Sequence, residues 1–245
     1  MLKKIVIVFL FLTLISSAET IRANYSVSYG IFGKIGVAKA VLTRDAKHYT
    51  IDIALEATGL AKVLSGKRKE HHISKGHIEN GLMVSDLYQV IKSHGDVVVN
   101  KEYWINHKKR YVRKKYVKYK KGKKINVENT KLDFYAKNDL LTLYFNLDFM
   151  IKNKTFAKTY IYKAVGAERQ KGKVSVIIPQ RKDLASYKKD LGNDAAWYAT
   201  AVIHQKIFSS KDGRLKLAIA KDGITNKAVL KDVIFFGDIS AVRTK

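Results

Sequence analysis

The regular alternation of apolar and polar side chains most constrains how this chain can fold. In YTIDIALEA, which begins at Tyr49, every second residue is apolar, and YSVSY, which begins at Tyr25, has the same period. Successive side chains of a β-strand point to opposite faces, so this period is typical of strands with one buried face. The chain has a single proline, so few strands are interrupted. These features predict a mainly antiparallel β-sheet.

Turn signals separate the predicted strands at short intervals. Asn80-Gly81 indicates a type I′ hairpin turn, and Ser93 to Asp96 indicates a turn between a strand that ends near Ile91 and one that starts at Val97. In the C-terminal third, the Asp-Gly pairs at 212–213 and 222–223 separate three β-rich runs. That arrangement predicts an antiparallel meander.

Two segments have helical character. KNDLLTLYFNLDFMI can be capped by Asn138 or Asp139, and ATGLAKVLSG can hold one or two turns between Gly59 and Gly66. A helix as apolar as the first must be buried, and an antiparallel sheet can cover it only by curving around it. The predicted fold class is mainly β: a curved antiparallel sheet or open β-barrel with one or two short helices. The residues that make the first helix apolar are Leu140, Leu141, Leu143, Tyr144 and Leu147.

Residues 1–18 have the pattern of a signal peptide. Two lysines precede an apolar run from Ile5 to Ile15, and a Ser-Ser-Ala triplet that ends at Ala18 offers a cleavage site. The run is too short to span a bilayer as a mature anchor. We expect cleavage after Ala18, one domain over residues 19–245, and a periplasmic or secreted location.

Net charge narrows the classes of partner. The chain carries 47 Lys and Arg against 21 Asp and Glu, a formal charge of +26. Such a charge disfavours cationic ligands and favours lipid headgroups, lipopolysaccharide, nucleic acid and acidic polymers. A lysine-rich composition shared by the proteins of the source organism would give the same net charge. The sequence therefore leaves open whether the charge serves binding or only reflects that composition.

The strongest local charge lies between Lys108 and Lys124, where eleven of seventeen residues are basic and none is acidic. Neither strand face is clearly apolar, which predicts a solvent-exposed or edge hairpin with a turn at His107 to Lys109. Contact with an anionic surface is the functional alternative, and a nucleic-acid arm is not expected in an exported protein. The candidate anion contacts are Lys108, Lys109, Arg110, Arg113, Lys114, Lys115, Lys118, Lys120 and Lys121.

Patterns that carry catalysis or bind cofactors are weak. His71 and His72 are adjacent and point to opposite faces of a strand, and no cysteine is present to complete a metal site with them or with His77. The glycines of GIFGKIG lack the dinucleotide and P-loop spacing and indicate a bulge or tight hairpin. No nucleophile–base pair stands out. We expect no catalytic residue, no metal site and no cofactor.

Four segments occur in an order that resembles a known family. They are YSVSYGIFGKIGVAKAVL, ATGLAKVL, NDLLTLYFNL and DGITNKAVLKDVIFFGDISAV. Together they resemble a family of exported bacterial proteins that contain a domain of unknown function. The resemblance implies an open antiparallel β-barrel, similar in shape to the periplasmic lipoprotein carriers, whose curved sheet wraps an apolar cavity capped by short helices. It implies neither catalytic residues nor a cofactor.

These features predict a non-catalytic binding protein for an amphiphilic or anionic envelope ligand, with the apolar part of the ligand under the sheet and its head near basic residues. Candidate partners are a lipid or other amphiphile, an anionic membrane surface and lipopolysaccharide; the sequence does not determine the oligomeric state. The alternatives are an envelope interaction protein with a filled core and an enzyme of unrecognised type. An empty cavity of several hundred Å³ would favour the first function, and a packed interior the second. The predicted cavity residues are Tyr25, Tyr29, Phe32, Leu60, Leu64, Leu143 and Tyr144.

Overall fold

The computed structural model describes residues 18–155, 157–203, 213–233 and 237–244. In these ranges the strands form one sheet of fifteen. In chain order they are β1 (Glu19–Tyr29), β2 (Lys34–Arg44), β3 (His48–Ala57), β4 (Lys69–Glu79), β5 (Leu82–His94), β6 (Val97–Asn106), β7 (Tyr111–Lys120), β8 (Lys123–Lys131), β9 (Asn138–Asp139), β10 (Lys158–Val165), β11 (Lys173–Ile178), β12 (Trp197–Ile203), β13 (Arg214–Ile219), β14 (Thr225–Val233) and β15 (Gly237–Thr244). The helices are α1 (Gly59–Leu64), α2 (Leu140–Met150) and α3 (Leu184–Leu191), with short 3₁₀ turns at Gly30–Phe32, Arg169–Gly172 and Arg181–Asp183.

The sheet follows the chain as a meander that is joined in the middle by its two terminal strands. Its order runs from β8 back to β1, then from β15 back to β9. Neighbouring strands are antiparallel, except that β9 is parallel to β10. The ladder of β1 with β15 places Tyr25 opposite Arg243 and connects the two halves. The sheet ends at β8 on one side and β9 on the other, which confirms the predicted class of an open, mainly β structure.

The predicted turns lie where the sequence placed them, within the described residues. Asn80 and Gly81 both have positive φ, 53° and 78°, as a type I′ turn requires. Gly223 has φ 77° and lies in the turn between β13 and β14. The strand predicted to end near Ile91 continues three residues further, to His94. Residues 1–17 and Asp212 lie outside the described residues, so cleavage after Ala18 and the turn at Asp212 stay predictions.

Helix α2 lies inside the curve of the sheet and has strands on opposite sides. Leu143 and Leu147 are buried in a cluster with residues of β10 to β13. Leu141 and Phe145 project from the other side of the helix and pack against a cluster from β2, β3 and β5. The helix begins after Asp139, whose Oδ1 accepts hydrogen bonds from the backbone N–H groups at positions 141 and 142. The prediction of a buried, capped apolar helix is confirmed.

The chain around α2 also completes the hydrogen bonding of β5 on the edge that β6 leaves unpaired. The ladder between β5 and β6 begins only at Leu87. Before that point, the backbone N–H of Met83 donates to Oδ1 of Asn146 at 3.1 Å, and Nδ2 of Asn146 donates to the Met83 carbonyl at 2.8 Å. The N–H of Ser85 donates to the Lys137 carbonyl at 3.0 Å. One end of β5 is therefore covered by α2 and the segment that precedes it.

None of the helices in the described ranges has both the length and the apolar composition needed to cross a bilayer.

Candidate functional site

A buried polar cluster lies under the first turn of α2. Oγ of Ser74 donates to Oδ2 of Asp139 at 2.5 Å, Oγ1 of Thr142 donates to the same oxygen at 2.8 Å, and the Tyr49 hydroxyl lies 2.7 Å from Oγ1 of Thr142. Burial raises the pKa of Asp139, and the hydrogen bonds from Ser74 and Thr142 oppose that shift. All four side chains are buried, so the cluster holds the start of α2 against β3 and β4 and is closed to a substrate.

The seven residues predicted to line a cavity are divided between the interior and one end of the sheet. Leu143 is buried, and the hydroxyl of Tyr144 accepts a hydrogen bond from the backbone N–H of Thr225 at 3.0 Å. Tyr25 is half-buried, and its hydroxyl donates to the Thr225 carbonyl at 3.0 Å. The others lie on hairpin ends: Tyr29, Phe32, Leu60 and Leu64. The set does not surround one common space.

Five large apolar side chains project into solvent from two neighbouring hairpin ends. Each exposes between 53% and 88% of its surface. The end between β1 and β2 carries two of them, and the end between β3 and β4, which contains α1, carries three. We call this set the apolar tip surface: Ile31, Phe32, Leu60, Val63 and Leu64. Several exposed large apolar side chains on neighbouring turns are typical of binding sites, whereas single ones scattered over a surface are ordinary.

The apolar tip surface belongs to a continuous row of hairpin ends. The backbone N–H of Thr58 donates to the Ile35 carbonyl at 2.9 Å, which ties the α1 segment to the start of β2. The N–H of Gly95 donates to the Gly66 carbonyl at 2.6 Å, and the N–H of Lys121 donates to the Asp96 carbonyl at 2.9 Å. We call this row, the four turns from the β1–β2 end to the β7–β8 end, the hairpin rim. The rim brings the apolar tips onto the same edge as a lysine-rich turn.

The predicted basic stretch is divided between the two ends of the sheet. Lys108, Lys109 and Arg110 form the β6–β7 turn, whereas Lys120 and Lys121 belong to the β7–β8 turn on the hairpin rim. Strand β7 separates the two turns and has ten residues, a length of about 33 Å at ~3.3 Å per residue. The stretch therefore cannot contact one small anion as a unit.

Strand β7 also differs from the exposed hairpin that the sequence predicted. It lies between β6 and β8, and Val112 and Val117 are buried. Lys114 exposes only 17% of its side chain, and its Nζ donates to Oε2 of Glu168 at 2.7 Å. The predicted turn at His107 to Lys109 lies between β6 and β7, and β7 and β8 form the hairpin at the edge of the sheet. The exposed alternative does not hold for β7, because both of its edges are paired, whereas the nine residues of β8 are all exposed.

The remaining predicted anion contacts, on β7 and in the turn before it, differ in how far their charged groups are exposed or packed against aromatic rings. The guanidinium of Arg113 lies 5.2 Å from the centre of the Trp104 ring, and that of Arg110 lies 5.1 Å from the Tyr135 ring, which are cation–π distances. Lys115 and Lys118 are half-buried on the strand. Among the nine predicted anion contacts, the exposed residues are those of the two turns and Arg113.

A shallow pocket opens beside the rim, between the ends of β1 to β4. Its volume is about 120 Å³, and it is lined mainly by apolar residues, with Arg68 and Glu70 at one side. Wider and more polar pockets of about 610 and 390 Å³ lie elsewhere on the surface, the first lined in part by Arg22 and Arg243 and the second by Lys216 and Lys231. The interior of the sheet is filled by α2, which supports a packed protein more than a carrier with an internal ligand.

The histidines near β4 have separate partners. Nε2 of His71 lies 2.6 Å from Oδ1 of Asp52, and Nδ1 of His72 lies 3.0 Å from the Tyr88 hydroxyl. His77 is hydrogen-bonded to Asp86 at the opposite end of the strand. Across the part of the chain that the structure describes, no group of three or more His, Cys, Asp or Glu side chains is arranged to hold a metal ion.

Sequence reasoning named three of the five residues of the apolar tip surface and missed Ile31 and Val63. The available signal was the apolar character of two turns, GIFG and GLAKVLSG, where polar residues are usual. Alternation identifies strands and their buried faces, so it gives no expectation for apolar residues between strands.

No family model matches the chain, and no curated protein matches it. Among solved structures, the chain is similar to the crystal structure of a β-barrel-like protein of a domain of unknown function, DUF1849, from Brucella abortus. The sequences are 11% identical, the TM-score is 0.46, and the match covers 91% of this chain and 95% of that one. The fold class of this chain, an open and mainly β structure, rests on its own strands and not on this likeness.

Proposed function

We propose that this protein is a non-catalytic, peripheral binding protein of the bacterial envelope whose ligand is an anionic lipid surface. The observation that carries the proposal is the hairpin rim, where five exposed apolar side chains share one edge with a lysine-rich turn. Apolar tips enter the acyl boundary of a bilayer, and lysines beside them meet the headgroups. Export through the N-terminal signal segment is part of the proposal.

The physical magnitudes are sufficient for such binding. Full burial of a Leu or Phe side chain contributes about 1.5–3 kcal/mol, and a basic residue near an anionic membrane contributes about 1 kcal/mol. Exposed basic residues flank the tips at Lys34 and Lys67, and the rim continues to Lys121. Lys62 and Arg68 lie there too, but they are paired with Glu56 and Glu70. Partial insertion of a few apolar groups with several lysines reaches the ~8 kcal/mol of micromolar affinity.

The amphiphile in this proposal meets the outside of the rim and not the interior of the sheet. Helix α2 packs against strand clusters on both of its sides, so the interior is occupied by the protein's own side chains. This differs from the earlier expectation that the apolar part of a ligand lies under the sheet. Leu143 and Tyr144 are then core residues, and Phe32, Leu60 and Leu64 are ligand contacts.

Vesicle binding tests the apolar part of the proposal. We expect the protein to sediment with phosphatidylglycerol vesicles, and less with phosphatidylcholine vesicles, at low salt. The double variant Leu60→Ser and Leu64→Ser should weaken binding to the anionic vesicles by about tenfold or more, because two side chains lose their burial. The control is Ile161→Ser, which removes one apolar group that is 64% exposed from β10, away from the rim. Equal loss in the control would contradict the proposal.

Two charge-matched triple variants test the basic part. Lys120, Lys121 and Lys123 changed to Gln remove three charges at the rim, and Lys108, Lys109 and Arg110 changed to Gln remove three at the opposite end. Each set includes one residue with positive φ, Lys121 or Arg110, so the backbone cost is similar. The rim set should weaken binding and reduce its salt dependence, and the opposite set should do neither. Equal effects would mean that net charge alone drives association.

Two further anions distinguish the source of the ligand chemistry. Lipopolysaccharide offers acyl chains with phosphate, and random duplex DNA offers phosphate without an apolar phase. One outcome is that the serine variant loses binding to vesicles and lipopolysaccharide but retains salt-sensitive binding to DNA. In that case the apolar tips recognise an amphiphile, and the lysines recognise any polyanion. If every anion is bound alike by wild type and the serine variant, the apolar tips have no part in binding.

The second candidate function is an interaction protein of the envelope with a filled core. The occupied interior favours it, since α2 leaves the outside of the sheet as the available surface.

A further inference from the structure

Strand β8 is a long, exposed edge of the sheet. Among the described residues, β7 pairs with one side of β8 and no strand pairs with the other. All nine of its residues are exposed. In an antiparallel edge strand, alternate residues direct their backbone N–H and C=O groups outward, where they can pair with a further strand.

The outer part of β8 is regular enough to accept such a strand. The ladder with β7 has a bulge at Ile125, which has no residue opposite it, and is regular from Asn126 to Lys131. Ile125 and Val127 expose 52% and 44% of their surfaces. Exposed β-branched apolar residues on an edge strand are the composition expected of a pairing site.

The charge of the region selects the partner. Residues 108–131 contain twelve Lys or Arg and one acidic residue, Glu128. If two copies of β8 paired antiparallel over their full length, Lys131 of each copy would lie opposite Lys123 of the other, and like charges directly opposite across strands are destabilising. Edge lysines usually prevent pairing, but acidic side chains on an incoming strand would neutralise them and remain hydrated.

We propose that β8 docks an extended, acidic segment of another protein, which pairs with it as an added strand. Main-chain hydrogen bonds supply the affinity, and the lysines of β7 and β8 select an acidic sequence. This site lies on the free edge of the sheet and does not depend on the apolar tips, so it stands whether or not the protein binds lipid.

The test uses a short fluorescent peptide in which Glu alternates with Val, without lipid. A second peptide has the same sequence with N-methyl groups on all of its backbone amides, which preserves charge and blocks strand pairing through either edge. We expect the first peptide to bind and to protect amides between Asn126 and Lys131 from hydrogen exchange. It should bind about tenfold more tightly than the second, which cannot form the main-chain hydrogen bonds. Equal affinity, or protection elsewhere, would overturn the proposal, because charge alone would then explain binding.

A charge variant separates this site from the lipid-binding rim. Changing Asn129 and Lys131 to Glu places acid at the end of β8 that is far from the hairpin rim, on exposed positions. It should reduce peptide affinity at least tenfold and leave vesicle binding unchanged. If the variant instead loses vesicle binding and the unmodified protein ignores the acidic peptide, the edge contacts lipid and the strand-docking proposal is wrong.

Discussion

At the scale of single residues, Glu70 is the point where charges from two neighbouring strands meet. Its side chain is 10% exposed. Nη2 of Arg68 lies 2.5 Å from Oε1, and Nζ of Lys92 and Nε2 of His72 lie 2.7 and 3.3 Å from Oε2. Burial raises the pKa of this carboxyl, but the hydrogen bonds from His72, Lys92 and Arg68 outweigh it and hold the pKa well below its ordinary value. The ends of β4 and β5 beside the rim are fixed by this one carboxylate.

Changing Glu70 to Gln should lower the free energy of unfolding at pH 7 by about 2 kcal/mol, because Arg68 and Lys92 lose their ionic partner in a largely buried network. The carboxyl has a lower pKa in the folded than in the unfolded protein, so its stabilisation is present above the unfolded value of about 4.3 and is lost as pH falls towards the folded value. The difference between wild type and variant should therefore shrink below about pH 4. Urea unfolding at several pH values measures it.

Glu56→Gln is the control for this prediction. Glu56 forms ion pairs with Lys69 at 3.1 Å and Lys62 at 3.8 Å, but it is exposed, and such surface pairs contribute little. A similar loss in both variants, or a loss at Glu70 that does not depend on pH, would show that the buried network is not the cause.

At the scale of elements, helix α2 fills the interior of the sheet and completes the hydrogen bonding of one strand, β5. Its apolar side chains fill the curve of the sheet, and Asn146 supplies one donor and one acceptor to the backbone of Met83. Asn146 is 2% exposed, so neither hydrogen bond can be replaced by bulk water without local opening. A buried polar residue on a mainly apolar helix thus fixes which strand the helix faces.

Asn146→Ala should destabilise the protein by about 2–4 kcal/mol, because it leaves a buried N–H and a buried carbonyl of β5 without partners. Urea unfolding followed by tryptophan fluorescence gives the value. Asn129→Ala makes the same chemical change on the exposed strand β8 and should cost less than about 0.5 kcal/mol. A small effect at Asn146 would mean that the helix does not hold this end of β5.

At the scale of the whole molecule, the two halves of the sheet depend on the terminal strands. Strand β15 lies between β1 and β14, so Ala241 is opposite Val27 on one side and Ala228 on the other. The N-terminal half, β1 to β8, and the C-terminal half, β9 to β15, meet at this ladder and around α2. Integrity of the fold therefore requires pairing between residues more than 200 positions apart.

Ala241→Pro should destabilise the protein by about 3 kcal/mol or more, since proline removes a donor and distorts two ladders in the middle of the sheet. Thr130→Pro on β8 can disturb only the ladder with β7 and should cost less. Thermal unfolding followed by far-UV circular dichroism compares the two. If the edge variant is the more destabilising, the terminal pairing is not what unites the sheet.

The sequence predicted which types of residue form the candidate site but not where they lie on the sheet. The sequence identified the basic stretch and three of the tip residues, Phe32, Leu60 and Leu64, as contacts for an anionic amphiphile. The sequence analysis treated the stretch from Lys108 to Lys121 as one surface, because residues that are adjacent in sequence were expected to contact the same ligand. An internal strand of about 33 Å separates its ends. Which end shares an edge with the apolar tips depends on strand direction, which is a property of the assembled sheet.

The sequence alone determined the strands, the turns and the buried helix. Alternation, Asn80-Gly81 and the Asp139 cap act over a few residues, and local sterics and hydrogen bonding are sufficient to specify them. Tertiary structure decided the rest: the pairing of β1 with β15, the occupation of the interior by α2, the hydrogen bonds of Asn146 to Met83, and the division of the basic residues between two ends. These features join residues that are distant in the chain, and any one of several pairings satisfies the same local pattern. Only packing of the complete sheet around the helix distinguishes among them.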